Sequence, residues 1–318
     1  MKAALLTNYG PPEMFQIGDI PTPKPKPNEI LIRIKATSVN SGECRIRRPD
    51  PQLVRLFLGL SKPRNPVIGI ALAGEVVEIG KNITKFKVGD RIYGMTGMNF
   101  GTYAEYKCLS EESSLDFIPD GITDLQAACV PFGGLTALHF LNVSNVKPQE
   151  KILIYGASGS VGTAAVQLAK KMNLHITAVS SQSNKNLLKS LGADEVLGYD
   201  EPGYKLELKK YDIIFEVVGK SNLPSLLKSL KIGGTLILCD ANFYQFLWAF
   251  WKSIFSKYKM KFGLSSESIE LLKSLTKLLT DGSFKPVIDK VYPLDNMVEA
   301  HRYADTGHKK GNIGIEIK

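Results

Sequence analysis

The sequence predicts an α/β protein in which a doubly wound parallel sheet follows a β-rich first part and precedes a short mixed tail. Three observations lead there. From about Leu125, apolar β-type runs alternate with amphipathic helical runs, the rhythm of βαβ units. A glycine turn, YGASGSVG, joins one such strand to its helix. Before Leu125 the pattern is instead one of short strands punctuated by glycine and charge.

In chain order, EILIRIKA places Ile30, Ile32, Ile34 and Ala36 at alternate positions, a strand pattern. GEVVEIG, DRIYGM and TYAEYKCLS predict further strands. PTPKPKP, from Pro21 to Pro27, lacks alternate amide donors and reads as a spacer or edge segment. DLQAACVPFGGLTALHFL reads as helical and leads into the strand KILIYG and the helix GTAAVQLAKKM. HITAVS, EVLGY, YDIIFEVVG and GGTLILCD predict more strands, with NKNLLKSLGA and SNLPSLLKSL as helices between them. Right-handed crossovers make such a layer doubly wound. ESIELLKSLTKLLTDG predicts an amphipathic helix ended at Gly282, and the tail a strand, a helix and a last strand, IGIEIK.

At 318 residues, 44% hydrophobic and 22% charged, the chain is a globular one too long for a single ordinary core, so two domains are expected. The net charge of +9 suits nucleic acid, an anionic membrane or an anionic ligand. The lysines are spread along the chain and no dense arginine-rich block occurs, which argues against nucleic acid. Cys44, Cys108, Cys129 and Cys239 form no C-x-x-C pair and are expected as free thiols. MKAALLTNYG has too short an apolar run for a signal peptide, and no apolar stretch reaches the ~20 residues of a spanning helix. A reducing, cytoplasmic setting is the expectation.

The glycine turn carries the most chemistry. Against G-x-G-x-x-G, the run has Ala157 first, Gly159 second and Gly162 third. Gly159 would let the backbone approach a pyrophosphate, and Gly162 would let the helix pack hard on the strand. Amides at the helix N-terminus supply hydrogen bonds and partial positive charge. A carboxylate for the ribose of NAD is expected about 20 residues on. No Asp or Glu occurs between Glu150 and Asp194; the second strand ends in Ser180, Ser181, Gln182 and Ser183, with Lys185 behind. Hydroxyls and a lysine suit a 2′-phosphate, so NADP(H) is the predicted cofactor.

VNSGECRIR (Val39–Arg47), KVGDRIYG (Lys87–Gly94), PFGGLTALHFL (Pro131–Leu141), YGASGSVGTAAVQLAK, LGADEVLGYD (Leu191–Asp200) and the tail VYPLDNMVEAHRYADTGHKKGNIGI run through nearly the whole chain. Together they resemble the medium-chain dehydrogenase/reductase superfamily, in its zinc-independent, zeta-crystallin-like quinone oxidoreductase branch. The resemblance implies a Rossmann doubly wound parallel sheet inserted in a GroES-like β-barrel catalytic domain. It divides the chain into 1–124 and 266–318 for the catalytic domain and 125–265 for the NADP-binding domain, with the nicotinamide in the cleft between them. It places Asn40 near the nicotinamide ribose and reacting centre, and Thr136 by the phosphate-ribose end. Ser158, Gly159, Ser160 and Val161 would cradle the pyrophosphate beside Ala157 and Gly162. Ser180, Lys185 and Tyr199 would surround the 2′-phosphate. Val218, Gly219, Cys239 and Ala241 would meet the nicotinamide half, and Asn312 would close on it from the tail. Asn40 also reads as a turn cap, Tyr199 as a packing tyrosine and Cys239 as small core filler. Tyr93, Arg47 and water are the alternatives for a proton donor. Where many relatives carry Asp, this chain has Glu43, a longer carboxylate that could still order the loop.

Zinc-dependent relatives use a Cys and a His-Glu pair where this chain reads TSVNSGE and VIGIALAGE. Ser38 to Asn40 and Gly69 to Leu72 offer no such ligands, and His139, His175, His301 and His308 are scattered, so no metal is expected. The resemblance then implies NADPH-dependent hydride transfer to a quinone or an activated enone or enal, a small apolar substrate, in a homodimer. The alternative is a non-catalytic or membrane-associated NADPH-binding protein of the same fold. ANFYQFLWAFWKSIFSKYKMKF, from Ala241 to Phe262, holds both tryptophans and four lysines but no acid. Its position favours cleft wall and interface over contact with a membrane surface.

Overall fold

Residues 1–219, 221–240 and 243–318 are described in a computed structural model, with the side chains of Phe243, Phe246, Ile254 and Phe255 left aside. The chain forms two compact units, Met1–Phe132 with Glu267–Lys318, and Gly133–Ser266.

The first unit begins with an antiparallel pair, β1 (Lys2–Leu6) and β2 (Phe15–Asp19). β3 (Glu29–Val39) follows, and its alternation works as predicted: Ile30, Ile32, Ile34 and Ala36 are all buried. Each isoleucine so buried stabilises by roughly 1.5–3 kcal/mol. Short helices α1 (Ser41–Arg47) and α2 (Arg55–Leu58) precede β4 (Ala71–Ile79), β5 (Arg91–Met95), β6 (Tyr106–Ser110) and β7 (Leu115–Phe117). Pro21–Pro27 forms no regular element. Helix α3 (Asp124–Ala128) carries a Thr123–Gln126 capping box.

The predicted single helix from Asp124 to Leu141 is two helices. α4 (Pro131–Val143) starts anew at Pro131, whose ring cannot sit inside a helix without displacing the preceding turn. α3 groups with the first unit, eight residues past the boundary expected at 124: Leu125 packs so closely on Gly314 that a Cβ there would lie 2.5 Å from Leu125 Cδ1.

The second unit alternates strand and helix: β8 (Lys151–Tyr155), α5 (Ser160–Lys171), β9 (His175–Ser180), α6 (Lys185–Ser190), β10 (Glu195–Gly198), β11 (Tyr211–Glu216), α7 (Leu223–Ser229), β12 (Leu230–Leu238), α8 (Phe243–Phe255) and β13 (Lys259–Phe262). Every strand pair is parallel, in the order β10-β9-β8-β11-β12-β13. Numbered within the unit this is 3-2-1-4-5-6, the doubly wound order in which direction reverses between the first and fourth strands. Leu153, Val179, Ile214, Leu226 and Leu236 lie in its core.

The chain then returns to the first unit through α9 (Ile269–Thr280), β14 (Ile288–Pro293), α10 (Met297–Asp305) and β15 (Asn312–Glu316). β15 pairs antiparallel with β3, completing a sheet ordered β14-β15-β3-β4-β5-β7, with β6 also paired to β3. Among the described residues no disulfide forms, with Cys44 and Cys129 buried and Cys108 and Cys239 half-buried.

Candidate functional site

In the second unit, the turn after β8 is built for close approach from outside. Gly156, at φ +87°, makes the sharp departure from the strand, and its amide and that of Ala157 both donate to Val179 O at 3.0 Å. The tight-turn task expected of the first fingerprint glycine has therefore moved one residue earlier, which is why Ala157 is tolerated. Gly162 packs as predicted: a Cβ there would fall 2.3 Å from Gly156 O and 2.6 Å from Ala157 Cα. Gly159 is the opposite case, since its Cβ would meet nothing nearer than Gly156 O at 3.8 Å. Gly159 is the N-cap of α5 and provides no side-chain acceptor for the helix amides, while Ser158 is half-buried and Ser160 and Val161 buried. Open space over backbone donors at a helix N-terminus fits a pyrophosphate.

At the end of β9, Ser180 is buried and its hydroxyl donates to Ser181 O at 2.9 Å. Ser180 O in turn accepts from Tyr199 N at 3.0 Å, so β10 brings Tyr199, half exposed, beside the β9 turn. Lys185 is exposed at the start of α6 and has no ion-pair partner among the described residues. Sequence spacing missed Asp200, whose carboxylate is brought to the same turn by β10 and accepts from Gln182 N at 2.8 Å.

After β11, Gly219 sits at φ +73° with no room for a Cβ, which would lie 2.3 Å from Asp240 O. The buried Glu216 holds this turn: its Oε1 accepts from Val218 N at 3.1 Å and Gly219 N at 2.9 Å. Burial pushes its carboxyl up to about 7. Nothing in the local pattern singled out Glu216, an acid in an otherwise apolar strand. Cys239 N donates to Glu216 O at 2.9 Å, fixing the end of β12 beside that of β11. Ala241 lies outside the described residues. Thr136, buried in α4, shares a 3.3 Å hydroxyl contact with Ser265. The turns after β8, β9, β10, β11 and β12 thus line the carboxyl edge of one parallel sheet, where open α/β sheets bind their ligands.

In the first unit, Asn40 is a turn cap in a capping box. Its Oδ1 accepts from Gly42 N at 2.9 Å and Glu43 N at 3.4 Å, and Glu43 Oε2 accepts from Asn40 N at 2.7 Å. The cap uses the oxygen alone: Asn40 Nδ2 is buried and has no hydrogen-bond partner among the described residues. A buried donor left unmade costs about 1–3 kcal/mol, which a ligand acceptor would recover. Glu43 does reach a second element, since Oε1 accepts from Ile70 N at 3.0 Å just ahead of β4. Full burial raises its carboxyl to about 8 against those two amides. Asn312 stands one step beyond the Ile313–Val39 pair, at the same end of β3–β15 as Asn40. Its Nδ2 donates to Val287 O at 2.9 Å.

Tyr93 does not join this group. Its buried hydroxyl lies 2.9 Å from Thr276 Oγ1 in α9, and Thr276 donates to Asp116 Oδ2 at 2.5 Å, so Tyr93 must donate to Thr276. Desolvation raises the phenol well above its ordinary range, which ill suits an acid catalyst. Arg47, the other donor considered, is buried and paired with Asp305 while donating to Gly10 O at 2.5 Å. Phe57, Leu58, Ile68, Met98 and Phe100, with Arg64 and Asn65 and with Ile46 of the helix that Asn40 caps, line a pocket of about 160 Å³ in this unit.

At the positions of the zinc ligands, Gly69 is wedged against Thr102 and Tyr103, and Ile70 and Ala71 are hydrogen-bonded to Glu43 and Thr37. His301 is buried between Tyr103 Oη, at 3.2 Å, and Cys44 Sγ, at 3.6 Å. Among the described residues, no three His, Cys, Asp or Glu side chains gather where they could hold an ion.

The fold and these turns define a dinucleotide-fold oxidoreductase architecture. The sequence matches the alcohol dehydrogenase GroES-like domain over residues 26–120 and a family described as zinc-binding dehydrogenase over 191–313. The chloroplast envelope quinone oxidoreductase homolog of Arabidopsis thaliana is 33% identical over 93% of this chain and 92% of its own. The chloroplastic quinone-oxidoreductase QR1 of Triphysaria versicolor is 35% identical over 94% and 92%. The solved quinone oxidoreductase of Coxiella burnetii superposes with a TM-score of 0.88 at 27% identity, covering 100% of this chain and 99% of that one. The chain belongs to the medium-chain dehydrogenase/reductase superfamily, in its zinc-independent quinone oxidoreductase branch.

Proposed function

We propose that the protein is an NADPH-dependent, zinc-free reductase of quinones or activated enones and enals. The observation that carries this is the open place over Gly159 at a helix N-terminus without a side-chain cap, with the exposed Lys185 at the neighbouring strand end. The names of the relatives, quinone oxidoreductases over nearly their whole length, support the acceptor class.

On this reading Gly159, Ser160 and Val161 offer backbone amides to the pyrophosphate, with Ala157, Ser158 and Gly162 shaping the turn. Ser180, Lys185 and Tyr199 border the 2′-phosphate, Lys185 as its counter-charge. Val218, Gly219 and Cys239 border the nicotinamide half, the first two held by Glu216, and Thr136 and Asn312 hold their neighbouring segments. Asn40 Nδ2, unpartnered among the described residues, donates at the reacting end. NADPH, when bound, supplies the hydride, and the chain's residues bind, orient and exclude water. The pocket of Phe57, Met98 and Phe100 accepts an apolar ring or alkyl chain. With Tyr93 and Arg47 both engaged elsewhere, water is the proton donor. A homodimer in the cytoplasm completes the proposal.

The test is loss of NADPH absorbance with purified protein and a panel of quinones and 2-enals. Turnover insensitive to chelators is expected, with NADPH preferred over NADH. Tight NADPH binding without turnover of any acceptor would overturn the enzyme reading.

A further inference from the structure

Helix α8 faces its core through Ala249, which is buried, with Trp248 half-buried beside it. At 3.6 residues per turn, Tyr244, Leu247, Phe250 and Trp251 fall within an arc of about 120°, turned away from Ala249. All four are exposed, Tyr244 at 82% and Trp251 at 59%. A surface helix ordinarily turns polar residues outward; this one turns out a tyrosine, a leucine, a phenylalanine and a tryptophan. Scattered exposed apolar residues need no explanation, but a contiguous stripe of this kind does.

The surrounding charge says what fits the stripe. From 241 to 266 the chain has Lys252, Lys257, Lys259 and Lys261 and no acidic residue. Lys252, Lys257 and Lys259 are exposed, and the whole chain carries a net charge of +9. Aromatic rings with polar edges, flanked by lysines on flexible stems, suit the boundary between acyl chains and anionic headgroups. Among the described residues no helix is long and apolar enough to cross a membrane. The expectation from sequence position was a cleft wall and an interface; the stripe and its lysines support a reading of their own.

We propose that α8 docks on an anionic lipid surface, with Tyr244, Leu247, Phe250 and Trp251 in the interfacial layer and the lysines of 252–261 over the headgroups. The helix lies along the surface and spans nothing. Among the described residues the core contact of α8 runs through Ala249 and Trp248 and not through the stripe, so Leu247 and Trp251 can be altered without emptying that contact. This inference does not depend on turnover.

Both tryptophans of the chain lie in α8, so intrinsic fluorescence reports the event directly. The full chain is mixed with phosphatidylcholine vesicles, with and without phosphatidylglycerol. A blue-shifted emission and co-sedimentation are expected with the anionic vesicles alone, and are lost in high salt. Leu247→Ser with Trp251→Ser, keeping Trp248 as reporter, should weaken partitioning about tenfold or more with an unchanged melting temperature. Lys252→Glu with Lys257→Glu should abolish the preference for anionic vesicles. The proposal is overturned if the wild-type chain ignores anionic vesicles or binds neutral ones equally. It is also overturned if the Leu247/Trp251 variant loses self-association in light scattering while vesicle binding stays intact, which would assign the stripe to a second copy.

Discussion

Replacing Gly159 by Ala separates what the glycine turn does for a ligand from what it does for packing. Gly159 has an ordinary φ of −78°, and an added methyl would meet only Gly156 O, at 3.8 Å. The fold should lose little, less than about 1 kcal/mol from the poorer N-cap residue. The same methyl occupies the open place over the α5 amides, so NADPH should bind about tenfold more weakly or worse, about 1.4 kcal/mol. Gly162→Ala is the internal control. Its Cβ would sit 2.3 Å from one backbone atom and 2.6 Å from another, neither able to rotate aside. Overpacking of that kind costs about 1–3 kcal/mol and should lower the melting temperature by about 3–10 °C. Calorimetric titration with NADPH and thermal melts of both variants read the two effects. Wild-type affinity in Gly159→Ala would show that the dinucleotide does not approach this turn. Wild-type stability in Gly162→Ala would refute the packing argument.

Lys185→Glu should cut the NADPH-over-NADH ratio of kcat/KM by about tenfold or more, since a carboxylate repels the 2′-phosphate; an unchanged ratio removes Lys185 from the site. Tyr93→Phe should keep its turnover and lose about 1 kcal/mol of stability with the Thr276 hydrogen bond, whereas a hundredfold drop in kcat would restore Tyr93 as proton donor. The Glu43 carboxyl is raised to about 8 in the fold from 4.5, so the native state holds the extra proton between those values. Its stabilising contribution is therefore complete below about 4.5 and is lost as pH rises through about 8. Melting temperatures across that range should fall more steeply for the wild type than for Glu43→Gln, and parallel curves would contradict the assignment.

Where apolar periodicity and glycine chemistry act locally, the chain could be read directly. Ile30 to Ala36 became β3, the run from Lys151 to Lys171 became strand, turn and helix, and Gly162 packs as its place in the motif requires. Long-range partners were not legible. Tyr93 looked reactive in KVGDRIYG, yet its hydroxyl is claimed by Thr276, 183 residues away. Asp200 lay outside the expected spacing because β10 brings it to the β9 turn across a ladder, not along the chain. Glu216 hid in an apolar strand, where only burial and two backbone donors disclose it. β13 had a local signal in Lys259–Phe262, alternating lysine with Met260 and Phe262, that the aromatic run before it obscured.

The pairing of β15 with β3 sets an order of events during synthesis. Residues 133–266 form a contiguous unit that can close as soon as they leave the ribosome. β3 emerges first, yet must wait for residues 312–316, with the whole second unit made in between. During that interval the edge destined for β15, beside Asn40, is an open strand that a chaperone or another nascent chain could occupy. Loss of a few residues from β15 would therefore strike the oldest part of the molecule, while the parallel sheet made in the meantime stays whole.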